Sequence, residues 1–481
     1  MTSPEAELRF SGDDVRIRRW NDEPVRRPHE GGEYVLYFCH AYRRVRDNAA
    51  LAYAIERANE LSLPCLFYES IRPDYPHASD RHHTFAIECA RDDAHECAAR
   101  GVTHAFFLPR TRDEARGMVA KVASRAALVV SDEHPGFIHP AQNAAAAKHA
   151  DCAYVTVDDA CGVPMALFPN EESAARTLRP KLLKVQGAWL APLADPNPRI
   201  SAPRISLPFD PVDLTRDGLD VAKLVAGCAI DHRVPPVAAL PGGSRAAQSR
   251  LERFLRQRLA AYATDRNEPD RTATTGLSPY LHWGAISARR VAIAVRDEAR
   301  ERGLAEAGDA LLEQLLVRRG LAFNFTARRD DPTSYEALPA WARATLAAHA
   351  RDPRPALVSR EDLDAARSPD ELWNAAQLEL RATGVIHNYA RMLWGKCVLT
   401  WTREPADAHA LLVHMNDRYA LDGRDPGGWA NIGWCFGLHD RPWPERAVFG
   451  TVRCMTTRSA RSKLDFEGYV GRAREWRDAT E

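Results

Sequence analysis

Three strings in the second half of the chain carry side chains suited to chemistry. In RMLWGKCVLTW, Trp394 and Trp401 stand seven residues apart, which on a helix puts both indoles on one face roughly 10 Å apart along the axis. Trp373, in ELWNAAQLE, falls in the helical stretch just before them. Most helical tryptophan pairs are core packing; the sharper reading is a row of rings that passes electrons between a buried redox group and solvent. The second string, MNDRYALDGRDPGGWANIGW from Met415 to Trp434, crowds carboxylates, Arg424 and turn-forming residues together. Asp417, Asp422 and Asp425 do not follow the spacing of a calcium-binding loop, so paired Asp–Arg structure is a more economical reading than a metal site. The third, from Thr274 to Trp283, reads as a helix entrance whose free amides and positive dipole end suit a phosphate, although most such strings are ordinary caps. Tyr262 and Arg266, just before it, add a phenol and a cation.

These strings need a helical scaffold. Beyond Gly242 apolar residues recur at three- and four-residue spacing in GSRAAQSRLERFLRQRLAAY, and again around Asp309–Asn324, Glu371–Ala382 and His387–Thr402. The first third alternates instead. Glu33–His40, Pro64–Glu69, His104–Leu108, Ala127–Val130 and Ala153–Val157 read as buried strands, with helical stretches such as Asp47–Leu61 and Arg81–Arg100 between them. That alternation predicts an α/β amino-terminal domain over residues 1–175, a parallel Rossmann-like sheet with helices on both faces. It lacks a GxGxxG fingerprint, so no dinucleotide is placed there. The proline-rich DPNPRISAPRISLPFDPVDL falls in an expected interdomain connector over 176–245, and an all-α domain follows over 246–481.

The bulk numbers agree with that division. A chain of 481 residues is long for one core. Its 65 Lys and Arg balance 65 Asp and Glu, which argues against wholesale coating of nucleic acid while leaving a local basic patch such as Arg441–Lys463. No apolar run approaches membrane-spanning length, and MTSPEAELRF lacks the charged start and apolar stretch of a secretory leader. The ten cysteines are scattered without a CxxC pair, as expected for reduced, packed thiols of a cytoplasmic protein that binds no metal.

Taken in order, TGLSPYLHWGAIS, LWNAAQ, HNYARMLWGK, LTWT, NDRYALDGRDP, GLHDRPW and VFGTVRCM are similar to the FAD-binding domain of class II cyclobutane pyrimidine dimer photolyases, in the photolyase/cryptochrome superfamily. WNDEPVR and YVLYFCHAYRRVRDNAALAYA resemble the antenna-type α/β domain of that class, so the similarity runs from about Asp14 to Tyr469. The resemblance implies that Tyr262, Thr274, Thr275, Gly276, Leu277 and Ser278 hold the phosphates and ribityl chain of FAD. It places Asn416 against flavin N5 and makes Arg391 and Asp422 a salt bridge beside the isoalloxazine ring. Trp373, Trp394 and Trp401 match the electron-transfer triad. Arg266, Met392, Trp434, Arg441 and Trp443 fall on the substrate side, where an extruded dimer of ultraviolet-damaged DNA stacks on indoles while arginines grip phosphates. A monomeric lyase is implied, with an antenna chromophore of deazaflavin or folate type as a further candidate cofactor.

The string also departs from the family. In VRRGLAFNF, Gly320 stands where the family has a glutamate that hydrogen-bonds the dimer, and Phe323 where it usually has an aspartate. Asn388 replaces a glycine, four residues before Met392 and so on the same helix face, and GLHDRPW is one residue shorter than the pattern between Trp434 and His439. A missing acid removes charge stabilisation from the dimer as it accepts an electron. The expectation is therefore light-driven dimer repair of reduced efficiency. Beside it stand a cryptochrome-like photoreceptor and a flavoenzyme acting on a small substrate.

Overall fold

Runs of branched and aromatic residues buried in both pleat directions require a sheet covered on two faces. A computed structural model, describing residues 7–11, 13–201, 205–271 and 273–480, contains that sheet. The MTSPEA start of the leader reading and residues 202–204 of the proline-rich stretch lie outside the described residues. Six strands, β1 Ile17–Arg19, β2 Tyr34–Cys39, β3 Cys65–Ser70, β4 Thr103–Phe107, β5 Ala126–Glu133 and β6 Ala153–Asp158, pair in the order β1-β6-β5-β2-β3-β4. β2 through β6 run parallel, with Leu36 opposite Leu66 on one side and Val129 on the other. β1 adds an antiparallel edge, Arg18 opposite Thr156, that the sequence reading lacked. Its three residues, IRR, offer neither length nor apolar alternation.

Helices α1 (Ala49–Leu61), α2 (Asp80–Arg100) and α3 (His139–Lys148) pack on this sheet. α1 begins where the Asn48 side chain accepts the Leu51 amide at 3.0 Å. Leu36, Leu66, Val129 and Tyr154 meet Met118, Val122 and Ala146 in one core, while Val35, Tyr37 and Phe67 are buried on the other pleat. At the carboxyl end of β2, the amides of His40, Ala41 and Tyr42 all donate to Asp132 Oδ2, at 3.0, 2.7 and 2.9 Å. This is the point where strand order reverses, where open sheets of this kind often take a phosphate. Here the chain's own carboxylate fills it, in keeping with the missing glycine fingerprint.

The contacts divide the chain into two units. The first comprises Met1–Pro169, Lys181–Glu252 and Tyr280–Asp297, and the second Asn170–Pro180, Arg253–Pro279 and Glu298–Glu481. The stretch expected as a connector differs from that expectation. Its greater part belongs to the sheet unit, and its helix Val221–Ala226 packs against α2. Its prolines read as breakers, but Leu182, Leu214, Val225 and Val234 between them are buried and fold it down.

The second unit is helical. Its site-bearing helices are α4 (Arg319–Ala327), α5 (Glu371–Thr383), α6 (Asn388–Trp401), α7 (Pro405–Tyr419) and α8 (Pro426–Cys435). Asp370 and Asp425 cap α5 and α8 through the Trp373 and Gly427 amides, and prolines open α7 and α8. α6 packs against α5, α7 and α8. Gly395 permits the close approach to α8, since a Cβ there would lie 2.6 Å from Cys435 Sγ. Nine cysteines are buried and Cys454 is exposed, all with free thiols. Among the described residues no helix is long and apolar enough to cross a membrane, and no cluster of His, Cys, Asp and Glu could hold a metal.

Candidate functional site

The loop between α7 and α8 is tied by one buried carboxylate. Asp417 Oδ1 accepts the Arg424 amide at 2.8 Å and the Asn416 side chain at 2.9 Å, and both its oxygens take the Trp429 indole N–H, at 3.2 and 3.0 Å. Gly423 lets the loop fold this tightly, because a Cβ would come 2.7 Å from the Asn416 carbonyl oxygen. Against this loop α6 presents Arg391. Its Nη2 donates to Asp422 Oδ1 and Oδ2 at 3.0 and 3.3 Å, and its Nη1 to Asn416 Oδ1 at 3.3 Å. Arg391, Asn416 and Asp422 are all buried, so this is a desolvated ion pair with a carboxamide locked beside it. The carboxylates of the string thus bind arginine, indole and amides.

Three tryptophans form the second cluster. Trp373 on α5 lies parallel to Trp394 on α6, with ring centroids 6.5 Å apart and planes 9° apart. Trp401, two turns further along α6, meets Trp373 edge-on at 5.5 Å. The spatial order is therefore Trp394, Trp373, Trp401. Trp394 and Trp373 are 1% exposed and Trp401 6%, so all three are buried and Trp401 is the most exposed. Arg391 and Trp394 are one helical turn apart on α6, which joins the ion pair to the inner end of the row.

A third cluster holds three of the residues expected on the substrate side, Trp434, Arg441 and Trp443. Arg453 lies over both the Trp434 and Trp443 rings, at 5.4 and 4.1 Å, and pairs with Asp440 at 3.0 Å. Arg441 sits 5.3 Å from the Trp443 ring. Lys396 places its ammonium 5.0 Å from the Trp434 ring and donates to the Cys435 carbonyl oxygen at 2.7 Å. Sequence reasoning missed Lys396 and Asp440, and counted Arg453 only within the basic patch Arg441–Lys463. Lys396 carried the clearest signal, as the one charge in the apolar run WGKCVLTW.

The remaining expected residues are less concentrated. Tyr262 is buried, with Arg266 5.9 Å from its ring. Arg266 also accepts the His387 ring at its carbonyl oxygen, 3.1 Å away. The buried Arg266 Nε and His387 Nδ1 have no protein partner, which leaves two polar atoms for a bound group at the start of α6. Thr274 and Thr275 are partly exposed, Gly276 takes φ +64°, Leu277 donates its amide to Thr275 Oγ1 at 3.2 Å, and Ser278 opens a short helix. Gly320 and Phe323 are buried on α4, which packs against α8, the helix of Trp434. Asn324 on the same helix accepts the Glu172 amide at 2.8 Å. Arg319 pairs with Asp425 at 3.5 Å. Asn388 is exposed at the first position of α6, and Met392 is half-buried one turn on.

Burial also sets a pH dependence. It pushes His387, His409 and His439 down to about 4. Their unfolded value is higher, so between pH 6.5 and 4 the unfolded chain binds more protons and stability falls as pH falls. Each histidine is expected to cost about 2 kcal/mol at pH 5 relative to pH 7.5. Urea unfolding at the two pH values measures this, and an unchanged midpoint contradicts it. Lys396, pushed down to about 8 by burial, acts in a separate window, stability rising between pH 8 and 10.5.

No protein-family model matches the chain. It is 36% identical over 465 residues to the deoxyribodipyrimidine photo-lyase of Methanothermobacter thermautotrophicus, covering 95% of this chain and 98% of that one. Among solved structures it is similar to a class III photolyase from Agrobacterium tumefaciens, with a TM-score of 0.67 and 15% identity over 92% of this chain and 86% of that one. It is also similar to a Sulfolobus tokodaii photolyase whose structure holds two FAD molecules, with a TM-score of 0.61 and 16% identity over 92% of this chain and 89% of that one. At those identities the structural likeness speaks for the fold.

Proposed function

Because the chain belongs to the deoxyribodipyrimidine photolyase family, we propose that it holds FAD in its helical unit and uses light to split cyclobutane pyrimidine dimers in DNA. One observation carries the proposal. A single helix, α6, directs Arg391 into the buried pair with Asp422 and Asn416 and, one turn later, starts a row of three touching indoles at Trp394.

FAD, when bound and reduced, supplies the electron that opens the cyclobutane ring. The residues present suit it. Arg391 and Asp422 offer a fixed donor and acceptor to a polar ring edge, the locked Asn416 carboxamide a further hydrogen bond, and Arg266 Nε and His387 Nδ1 two unused polar atoms. Tyr262 and the Thr274–Ser278 turn complete the cofactor side. Trp373, Trp394 and Trp401 pass an electron inward from solvent, keeping the cofactor reduced. Trp434 and Trp443, both within cation–π reach of the Arg453 guanidinium, offer ring surface to an extruded dimer, and Arg441 offers charge to its phosphates. Met392 and Asn388, one turn apart on α6, would add to the substrate side.

Gly320 favours a second reading, a flavoprotein of the same fold that repairs poorly or serves as photoreceptor or small-molecule enzyme. The two separate cleanly. Reduced protein under blue light is expected to remove dimers from ultraviolet-irradiated oligothymidine over many turnovers; photoreduction with no dimer loss supports the second reading. Gly320→Glu is expected to raise repair about tenfold by restoring a hydrogen-bonding acid. An unchanged rate means that α4 does not face the dimer at this position.

A further inference from the structure

We propose that Gln377 is a positioning residue of the electron relay, fixing the Trp394 ring and withholding a base from its N–H so that the oxidised relay gives up its proton at Trp401. The proposal rests on the relay described under the proposed function. Gln377 stands one turn after Trp373 on α5, and its side chain is buried. Its Oε1 accepts the Trp394 indole N–H at 2.9 Å, and its Nε2 donates to the Asp364 carbonyl oxygen at 3.1 Å. An indole N–H can only donate and a carbonyl only accept, so the two partners dictate which way the carboxamide faces. The Trp373 N–H in turn donates to the Trp394 carbonyl oxygen at 2.9 Å. Both inner indoles therefore end on neutral acceptors. The Asp364 carboxylate takes neither indole N–H: its Oδ2 accepts the Tyr419 hydroxyl at 2.8 Å and meets Arg418 at 3.8 Å, and its Oδ1 is buried without a partner.

The consequence follows from electron and proton accounting. Trp394 gives one electron to the light-excited cofactor and is left as a radical cation. With no base at its nitrogen it keeps its proton, and so remains oxidising enough to take one electron from the parallel Trp373 ring, 6.5 Å away. Trp373 takes one from Trp401, 5.5 Å further on. Trp401, the most exposed of the three, then releases its N–H proton to water. Net, one electron moves from Trp401 to the cofactor and one proton from Trp401 to solvent. A base at position 377 would take the proton from Trp394 first. The neutral radical left behind is a weaker oxidant, and the vacancy would stay one ring from the cofactor, where the electron returns.

The test uses the full-length, flavin-loaded protein and its Gln377→Glu, Gln377→Met and Trp394→Phe variants, each checked for flavin content by absorption. In the dark, Gln377→Met is expected to speed hydrogen exchange at the Trp394 indole N–H about tenfold, because its acceptor is gone, while Gln377→Glu keeps it protected. After a flash, the wild type is expected to show a tryptophan radical cation that becomes neutral at a rate sensitive to solvent deuteration. Gln377→Glu is expected to show the neutral radical from the outset, insensitive to deuterated solvent, with lasting photoreduction lowered about tenfold. If that variant does not fold, Gln377→Met carries the test alone, and unchanged exchange and photoreduction in it overturn the proposal. A loaded Gln377→Glu protein with wild-type radical spectra overturns it too, while blocked photoreduction in Trp394→Phe leaves the relay standing. Wild-type photoreduction in Trp394→Phe removes the relay and the proposal together.

Discussion

Asp422→Ala is expected to yield a protein that purifies without flavin. Arg391 is buried, and Asp422 is the carboxylate that its Nη2 reaches at 3.0 Å. Truncating Asp422 strands a guanidinium in the interior, a change that costs about 3–5 kcal/mol when one member of a buried pair is removed. Part of that cost falls on folding and part on the cofactor, since Arg391 also holds the Asn416 carboxamide. If even 3 kcal/mol falls on binding, flavin affinity drops by roughly a hundredfold. Asp422→Asn separates charge from shape, because it keeps an acceptor for Arg391 and removes the negative charge. It is expected to bind flavin more weakly than wild type and more tightly than Asp422→Ala. The ratio of flavin to protein absorbance, with the melting temperature, measures both effects. Stoichiometric flavin in Asp422→Ala would mean that the pair supports the loop and not the cofactor.

Trp394→Phe is expected to retain flavin and lose most of its photoreduction. Phenylalanine preserves a ring at the inner end of the row but is far harder to oxidise than indole. An electron then has to reach the cofactor from Trp373 directly, past a ring that cannot relay it. The rate under steady blue light is expected to fall at least about tenfold, the change that about 1.4 kcal/mol of barrier makes. The substitution also removes the donor to Gln377 Oε1 at 2.9 Å, so a modest loss of stability is expected alongside. Flavin content identical to wild type, measured in the same sample, assigns the slower rate to electron transfer and not to a damaged site. An unaffected rate would reject the row as the route.

The five parallel strands were legible because each is a short apolar run, rich in branched and aromatic residues, between amphipathic helices. β1 was not, because IRR gains its place only by pairing with β6 at the sheet edge. The proline-rich stretch misled for a related reason. Proline stops helices and ladders but does not prevent neighbours such as Leu214 and Val234 from packing. In the helical unit, the seven-residue spacing of Trp394 and Trp401 placed both on one face, but Trp373 proved to sit between them in space. The order of the row depends on how α5 packs against α6, and no periodicity encodes that. The Arg391–Asp422 pair came from resemblance to a known family, since partners thirty-one residues apart leave no local trace. Gln377 and Lys396 were passed over because a single polar residue inside a helix usually faces solvent. Both are instead turned inward, one to an indole N–H and the other to a carbonyl oxygen.

The account depends on FAD lying among the carboxyl-terminal helices within electron-hopping reach of these indoles. Anaerobic blue-light illumination of the purified wild-type protein with a thiol donor tests this most directly. One flavin per chain is expected, its oxidised absorption band bleaching under the light. A colourless protein that takes up no added FAD, or a bound flavin that light does not bleach, would contradict it.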